Sequence, residues 1–358
     1  MSEPKALFIV KKRSYEGENA IPIGVYYSAL FLTNAAKEYG VTAQTSLIDS
    51  DDEIIPLAVA YKPTHVSIQA LVIDSKTMVN LCRLFPHTLW NVRIHSKIPF
   101  LATDSVAFEY LHGYLDDVIP FVPNFQITTN NKETSKNLSE IFNVKVPYLP
   151  NIYLPEALNL TDETYKGQNK SIKKKDIIHV GCFGAPRVLK NQLLQAVAAL
   201  RYGAENDKVI KFHINTAEGQ SSEQQSVVKN LRDLFATQTN HELFEHAWID
   251  HKSFANVVST MDLGMQVSLS ETFNFVTADF VNAGVPVVVS PEVSWMPSAF
   301  QADPTSTAEI IKTMSVALRG RTLHFHYIAK RALYRENQIA AEWWQAYLEG
   351  GQGKNFGP

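Results

Sequence analysis

The chain has only two cysteines, Cys82 and Cys182, set far apart. That excludes a disulfide framework and a paired-cysteine metal motif, and it fits a reducing compartment. It has no apolar run near the roughly 20 residues of a membrane-spanning helix. Its opening "KALFIVKK" is too short for a signal-peptide core and reads as a first strand. It lacks an excess of either charge: a net charge of −3 and a pI of about 6.4 remove the case for a strongly basic nucleic-acid binder, while leaving room for a local basic groove. Nor is it a disordered composition, with 45% hydrophobic and 19% charged residues. The expectation is a soluble, cytoplasmic, globular protein, and 358 residues exceed what one core ordinarily supports, so two domains are expected.

What is present alternates short apolar runs with helical periods, the pattern of βα units on parallel sheets. In the first half, "ALFIV", "THVSIQAL", "TLWNVRIHS", "VIPFVPN" and "VKVPYLPN" read as strands. "GVYYSALFLTNAAKEYG", "SKTMVNLCRLF", "FLATDSVAFEYLHGYL" and "KETSKNLSEIF" read as helices. Residues 1–155 make one doubly wound domain, and the polar stretch 156–176 is a linker whose Lys173 to Lys175 is a solvated loop or a phosphate patch. A second α/β series fills 177–334, with a helix "NQLLQAVAALRYG" that places Leu193, Leu194, Val197 and Leu200 on one face. A helix carrying Trp343 and Trp344 follows over 335–358. Two doubly wound domains in tandem form an α/β architecture of two Rossmann-like units facing across a cleft, and ligands bind at the carboxyl edges of such sheets.

Two segments carry chemistry. In "HVGCFGAPRVLKNQLL" a strand ends in Gly181 and Gly184, a loop holds Arg187 and Lys190, and a helix starts near Asn191. Backbone amides and two cations converge there on an anion such as a diphosphate, or else the cations are incidental to a strand-to-helix turn. In "SLSETFNFVTADFVNAGVPVVVSP", Asn274 is the expected N-cap, Phe275 to Ala283 the helix and Gly284 the stop. The amides of Phe275, Val276 and Thr277 then form a second anion site, with Glu271 in the loop beside it and Asp279 one turn inside. Carboxylates do not bind phosphate, so these acids serve hydroxyls, and a nucleotide sugar supplies both partners. The plainer alternative makes Glu271 an exposed loop acid and Asp279 a polar-face residue.

These residues resemble a known family, the GT-B fold retaining glycosyltransferases of the glycogen-synthase-like and mannosyltransferase-like group. "ETFNFVTADFVNAGVPVVVS" is similar to its E-x7-E signature, "GAPRVLKN" to its donor loop, and "MDLGMQVSLSE" to the run-in before the signature. "LPNIY" resembles its domain junction, "VRIHS" its histidine-bearing strand end, and the tryptophan helix the one that crosses back to the first domain. The resemblance implies Arg187 and Lys190 at the donor diphosphate, Glu271 at donor-sugar hydroxyls, and His95 beside the reacting sugar. It implies that Gly184, Asn274, Phe275 and Val276 contact phosphate and that Asp279 binds ribose, although the family places a longer Glu there. Trp248 is assigned to the base, and Gly24, in the altered loop "EGENAIPIGVYYS", to the acceptor side. Implied too are a UDP- or GDP-type sugar donor, retention at the anomeric carbon, no metal and no further cofactor. Chains with "GCFGxxRxLKNQ" are similar to bacteriophage glycosyltransferases, which makes a modified DNA base one candidate acceptor.

Other readings stay open at this level: a nucleotide-sugar epimerase on the same fold, or a non-catalytic nucleotide-binding module. His87, His95 and His112 show no metal-ligand spacing, and "HELFEHAW" has His241 and His246 at the wrong separation for H-E-x-x-H, so no metal site is expected.

Overall fold

A computed structural model describes residues 3–15, 18–102, 105–155, 176–216, 221–320 and 326–350. The expected linker 156–176, with its lysine run, lies outside the described residues but for its last position. The chain divides into two compact units, residues 1–156 with 336–358, and residues 157–335.

In the first unit β1 (Lys5–Lys11) is followed by the short antiparallel pair β2 (Arg13–Tyr15) and β3 (Glu18–Ala20), then α1 (Ile23–Glu38), β4 (Thr42–Ile48), α2 (Ile54–Tyr61) and β5 (His65–Gln69). Next come α3 (Ser75–Leu84), β6 (Leu89–Ile94), α4 (Ile98–Leu101), α5 (Ser105–Gly113), β7 (Phe125–Thr129) and α6 (Lys132–Phe142). The parallel sheet runs β4-β1-β5-β6-β7, in a register that pairs Leu7 with Val66, Val66 with Trp90 and Val92 with Ile127. One face is apolar, with Leu7, Ile9, Val66, Ile68, Trp90, Val92 and Ile127 in a single core. On the other face, Phe8 and Val10 pack with Ala29 and Leu32 of α1 and with Trp344 and Tyr347 of the terminal helix. Beside them the central strands bury polar groups: Ser67, Gln69, Asn91, Arg93 and Thr128. A buried parallel sheet normally reads as continuous apolar runs, so this polar strip is an exception.

The second unit begins with β8 (Ile177–Gly181) and α7 (Gln192–Glu205), then β9 (Val209–Asn215), α8 (Ser222–Ala236), β10 (Glu242–His246) and α9 (His251–Ser259). It continues with β11 (Leu263–Gln266), α10 (Phe275–Ala283), β12 (Val287–Val289) and α11 (Thr307–Gly320). The chain then enters α12 (His326–Leu348), which counts with the first unit from Glu336 on. Its parallel sheet runs β10-β9-β8-β11-β12. Strand order reverses between β1 and β5 in the first sheet and between β8 and β11 in the second; open α/β sheets bind ligands at the carboxyl ends of such strands.

Three local expectations are corrected. "VIPFVPN" is not a strand: Pro120 and Pro123 cannot donate ladder hydrogen bonds, and the strand is the next segment, Phe125–Thr129. "VKVPYLPN" contributes only the single bridge of Tyr148 to Thr129. On α7 the buried face is Gln192, Gln195, Ala196, Ala199 and Leu200, while Leu193 and Val197 are exposed. Small residues let this helix lie close to its neighbours, and that decided its orientation.

Candidate functional site

The carboxyl edge of the second sheet gathers the chemistry. β8 ends at Gly181, and the loop after it turns at Gly184, whose φ of +109° is a conformation that L side chains rarely adopt. The Gly184 amide donates to Asn215 Oδ1 at 2.9 Å. A short 3-10 turn, Val188–Lys190, then leads to Asn191, left-handed at φ 58°, and into α7. Asn191 Nδ2 donates to Val267 O (3.1 Å), Leu269 N to Leu189 O (2.9 Å), and Val267 N to Gln195 Oε1 (2.8 Å). These bonds stitch the 184–191 loop to the 267–274 loop.

The second loop is held equally firmly. Glu271 N donates to Glu292 Oε2 at 3.2 Å, and Trp295 Nε1 donates to Phe273 O at 2.7 Å. α10 starts as expected: Asn274, left-handed at φ 59°, caps it by accepting from Thr277 N (2.8 Å), and Gly284 ends it at φ 68°. The Thr277 amide is therefore taken by the cap, which corrects the expectation that it lies open to an anion. The helix can come this close because Gly264 has no side chain. A Cβ there would stand 2.6 Å from the Phe280 ring.

Between the loops, Lys190 Nζ and Glu271 form an ion pair, with side chains 21% and 11% exposed. Glu271 Oε2 also accepts from Asn274 Nδ2 at 3.0 Å, and Asn274 Nδ2 donates again to Gln266 Oε1 at 2.9 Å. Gln266 Nε2 is fixed on Phe183 O at 2.9 Å. Lys190, Glu271 and Asn274 thus form one polar unit beside the first turn of α10, where Phe275 and Val276 lie half-buried. A lysine neutralised this way can transfer its charge to an entering anion, leaving the carboxylate to accept from hydroxyls. Arg187 lies in the same loop, half-buried, with its amide on Gln192 Oε1 at 3.2 Å. Sequence reasoning missed Gln266, Gln195 and Glu292, whose only signal was their nearness to the motifs.

Of the other predicted residues, Asp279 and Trp248 belong to the second unit, and His95 and Gly24 to the first. Asp279, 5% exposed, faces α9, and its Oδ1 is 2.7 Å from His251 Nε2. Burial lowers the His251 pKa, but the hydrogen bond and charge of Asp279 and the charge of Asp250 outweigh it, so the net shift is upward. Trp248 stands exposed between β10 and α9. Gly24 is in the first turn of α1 with open space around it. His95 follows β6, its Nε2 3.0 Å from Gln69 Oε1 and 3.3 Å from Arg93 Nη1.

Arg93, inside "VRIHS", has no role on sequence grounds, and its importance emerges only from the fold. It is fully buried and donates to Asn151 Oδ1 (2.6 Å), Leu149 O (3.0 and 3.1 Å), Ser28 Oγ (3.0 Å) and Gln69 Oε1 (3.2 Å), beneath the Trp344 ring. Burial pulls its pKa down to about 9, which leaves it charged at neutral pH. It locks the "LPNIY" junction to the sheet. Asn337 adds to that lock, bonding Tyr153 N (2.9 Å) and Tyr153 O (2.8 Å).

No protein-family model and no curated protein matches this sequence. Solved structures do match in fold. The UDP-forming trehalose-phosphate synthase of Burkholderia xenovorans, in complex with glucose-6-phosphate, aligns with TM-score 0.67 at 10% identity, over 98% of this chain and 100% of that one. The UDP-forming enzyme of Burkholderia vietnamiensis gives 0.66 at 11%, over 97% of each chain. An E. coli trehalose-6-phosphate structure bound with UDP-2-fluoro glucose gives 0.64 at 10%, over 96% and 98%. The fold, two parallel-sheet α/β domains, is thus the GT-B fold of these synthases.

Proposed function

We propose that the protein is a metal-independent, retaining glycosyltransferase that moves a sugar from a nucleoside-diphosphate donor of the UDP or GDP type to an acceptor hydroxyl. The observation that carries the reading is the Lys190–Glu271–Asn274 unit at the start of α10, at the switch point of the second sheet. Departure of the nucleoside diphosphate is the demanding step. Lys190, Arg187 and the first amides of α10 meet the growing negative charge, a preorganised electrostatic stabilisation. When the diphosphate draws Lys190 away, Glu271 is released to hold donor-sugar hydroxyls; His95 is proposed as a further group for the reacting sugar on the family resemblance alone. Protein cations take the place a metal would otherwise have.

Support for a nucleotide-sugar donor also comes from the fold relatives, one of which is bound with UDP-2-fluoro glucose. The test is a thermal-shift panel of UDP-, GDP-, ADP- and TDP-sugars. A true donor at a hundred times its Kd adds about 2.7 kcal/mol to stability; no shift with any member overturns the reading. An acceptor panel that includes hydroxymethylated DNA, glycans and sugar phosphates then identifies the other half of the reaction.

A further inference from the structure

The first part of α12, which belongs to the second unit, carries cations that the fold does not neutralise. Between Glu309 and Glu336 the sequence has six lysines and arginines and no acid, in a chain whose net charge is −3. A helix is favoured by acids in its first turn, yet α12 has none there, and the first acid along it is Glu336. Ala329 and Leu333 are buried, while Tyr327 is 42% and Tyr334 49% exposed, with Arg331 and Arg335 exposed beside them. At 3.6 residues per turn these four positions share one face, over about 12 Å of helix. Exposed cations on α7 and α8 are treated differently: Arg201 pairs with Glu205, Lys229 with Asp233 and Arg232 with Glu245. Arg331 and Arg335 make no such pair among the described residues. They stand four positions apart, a like-charge spacing that destabilises a helix, so an anion laid along this face would stabilise it.

The make-up of the face selects the anion. Guanidinium groups suit phosphates, and exposed aromatic rings suit stacked bases of any identity. The order Tyr327, Arg331, Tyr334, Arg335 interleaves the two, as bases and phosphates alternate along a strand. A lipid surface is the poorer match. An interfacial helix sinks a broad apolar face into the bilayer, whereas here Ala329 and Leu333 are already in the protein interior and Ile328, 51% exposed, is the large aliphatic residue left outside. We infer that Tyr327, Arg331, Tyr334 and Arg335 form a docking surface for single-stranded nucleic acid, held through stacked bases and two phosphates without regard to sequence. The surface is separate from the proposed donor site, and the inference does not rest on that reading.

The test is fluorescence anisotropy of the whole chain with two labelled strands of about 15 nucleotides, oligo-dT and a mixed sequence, between about 50 and 200 mM salt. The wild type is expected to bind both strands with similar affinity. Arg331→Gln together with Arg335→Gln should weaken both by about tenfold or more. The same variant should make the logarithmic salt slope shallower by about 1.4, which is about 0.7 for each of two phosphates. Tyr327→Ala together with Tyr334→Ala should weaken both strands by about tenfold with the slope unchanged. Tyr327→Phe with Tyr334→Phe keeps the rings and should bind as the wild type does, and it covers the case in which the alanine pair fails to fold. No binding at the lower salt, undiminished binding by the arginine variant, or a preference for phosphatidylserine vesicles over both strands overturns the inference. Undiminished binding by a folded alanine pair overturns the stacking, and the assignment to nucleic acid with it.

Discussion

The two sheets share a parallel doubly wound plan, yet their carboxyl edges treat charge in opposite ways. In the first unit the cation is sealed: Arg93 is fully buried, its bonds to Ser28, Gln69, Leu149 and Asn151 all run to neutral groups, and only His95 beside it is half-exposed. In the second the cation is poised. Lys190 is one-fifth exposed and bonded to a carboxylate that a ligand can displace. A sealed cation serves shape, because its hydrogen bonds dictate where the "LPNIY" junction and His95 sit. A poised one, on the proposed function, serves chemistry. The difference predicts that substitutions in the first network register mainly in stability and those in the second mainly in turnover.

The largest expected effect is on Arg93. Replacing it with Met takes both side-chain donors from Leu149 O, and one donor each from Asn151 Oδ1, which keeps Ser28 Oγ, and Gln69 Oε1, which keeps its contact with His95; the loss is about 1–3 kcal/mol for each acceptor left unsatisfied. Denaturant unfolding should show the loss in the first unit alone, with nucleotide binding by the second unit retained in the fraction still folded. An unchanged unfolding midpoint would mean that the guanidinium does not organise the junction. Next in size, Lys190→Ala should cut transfer about 10²–10³-fold, the range for removing one preorganised charge partner, with little change in melting temperature. Loss of stability without loss of turnover would reverse the comparison.

A third effect separates histidines within the second unit. His179, His213 and His246 lie side by side on neighbouring strands, with 3.0 and 2.8 Å between their bonded nitrogens. Burial, then the nearby His246, His179 and Lys211, lowers the His213 pKa to about 3. The unfolded chain takes up a proton near pH 6.5 that the folded chain refuses, so stability is intact above that pH. It falls by about 1.4 kcal/mol for each pH unit below it, down to about 3. His251 has the opposite sign, its raised pKa giving stability that is present below about pH 6.5 and lost as pH rises through the folded value. Stability against pH for His213→Gln should fall less steeply below pH 6.5 than that of the wild type, the remaining slope coming from groups such as His65, whose pKa burial lowers to about 4. If the two curves are parallel, the histidine row does not titrate as described.

How much of this the sequence disclosed depends on range. The cap at Asn274, the stop at Gly284 and the loop with Gly184 were legible because each follows from neighbours within a turn or two. The apolar face of α7 misled, because small residues rather than Leu193 and Val197 face the sheet. The partners of Arg93 come from positions 28, 69, 149 and 151, and Asp279 meets His251 from another helix, so no window of sequence contains either arrangement. A trace existed nonetheless. "HVSIQ" and "WNVRIH" alternate polar with apolar, unusual for strands buried on both faces.

The smallest effect bears on backbone. At the edge of the second sheet the positive-φ positions are Gly184, Asn191 and Asn274, residue types that accept such conformations. At the edge of the first sheet the position is Ala70, at φ 129°, directly after Gln69. A non-glycine residue in so sparse a region costs about 1–3 kcal/mol, and it persists because Gln69 and the bond of Val72 N to Ala70 O, 3.1 Å, fix the turn. Ala70→Gly relieves that strain while adding about 0.5–1 kcal/mol of unfolded-chain entropy to overcome. The net expectation is a gain of about 1 kcal/mol, seen as a melting temperature higher by about 2–4 °C for a unit of this size. Because the strained turn positions the Gln69 oxygen that Arg93 and His95 share, the more permissive glycine should loosen His95. Turnover should fall as stability rises. A variant that gains stability with turnover unchanged would show that the turn serves the sealed network and not the histidine.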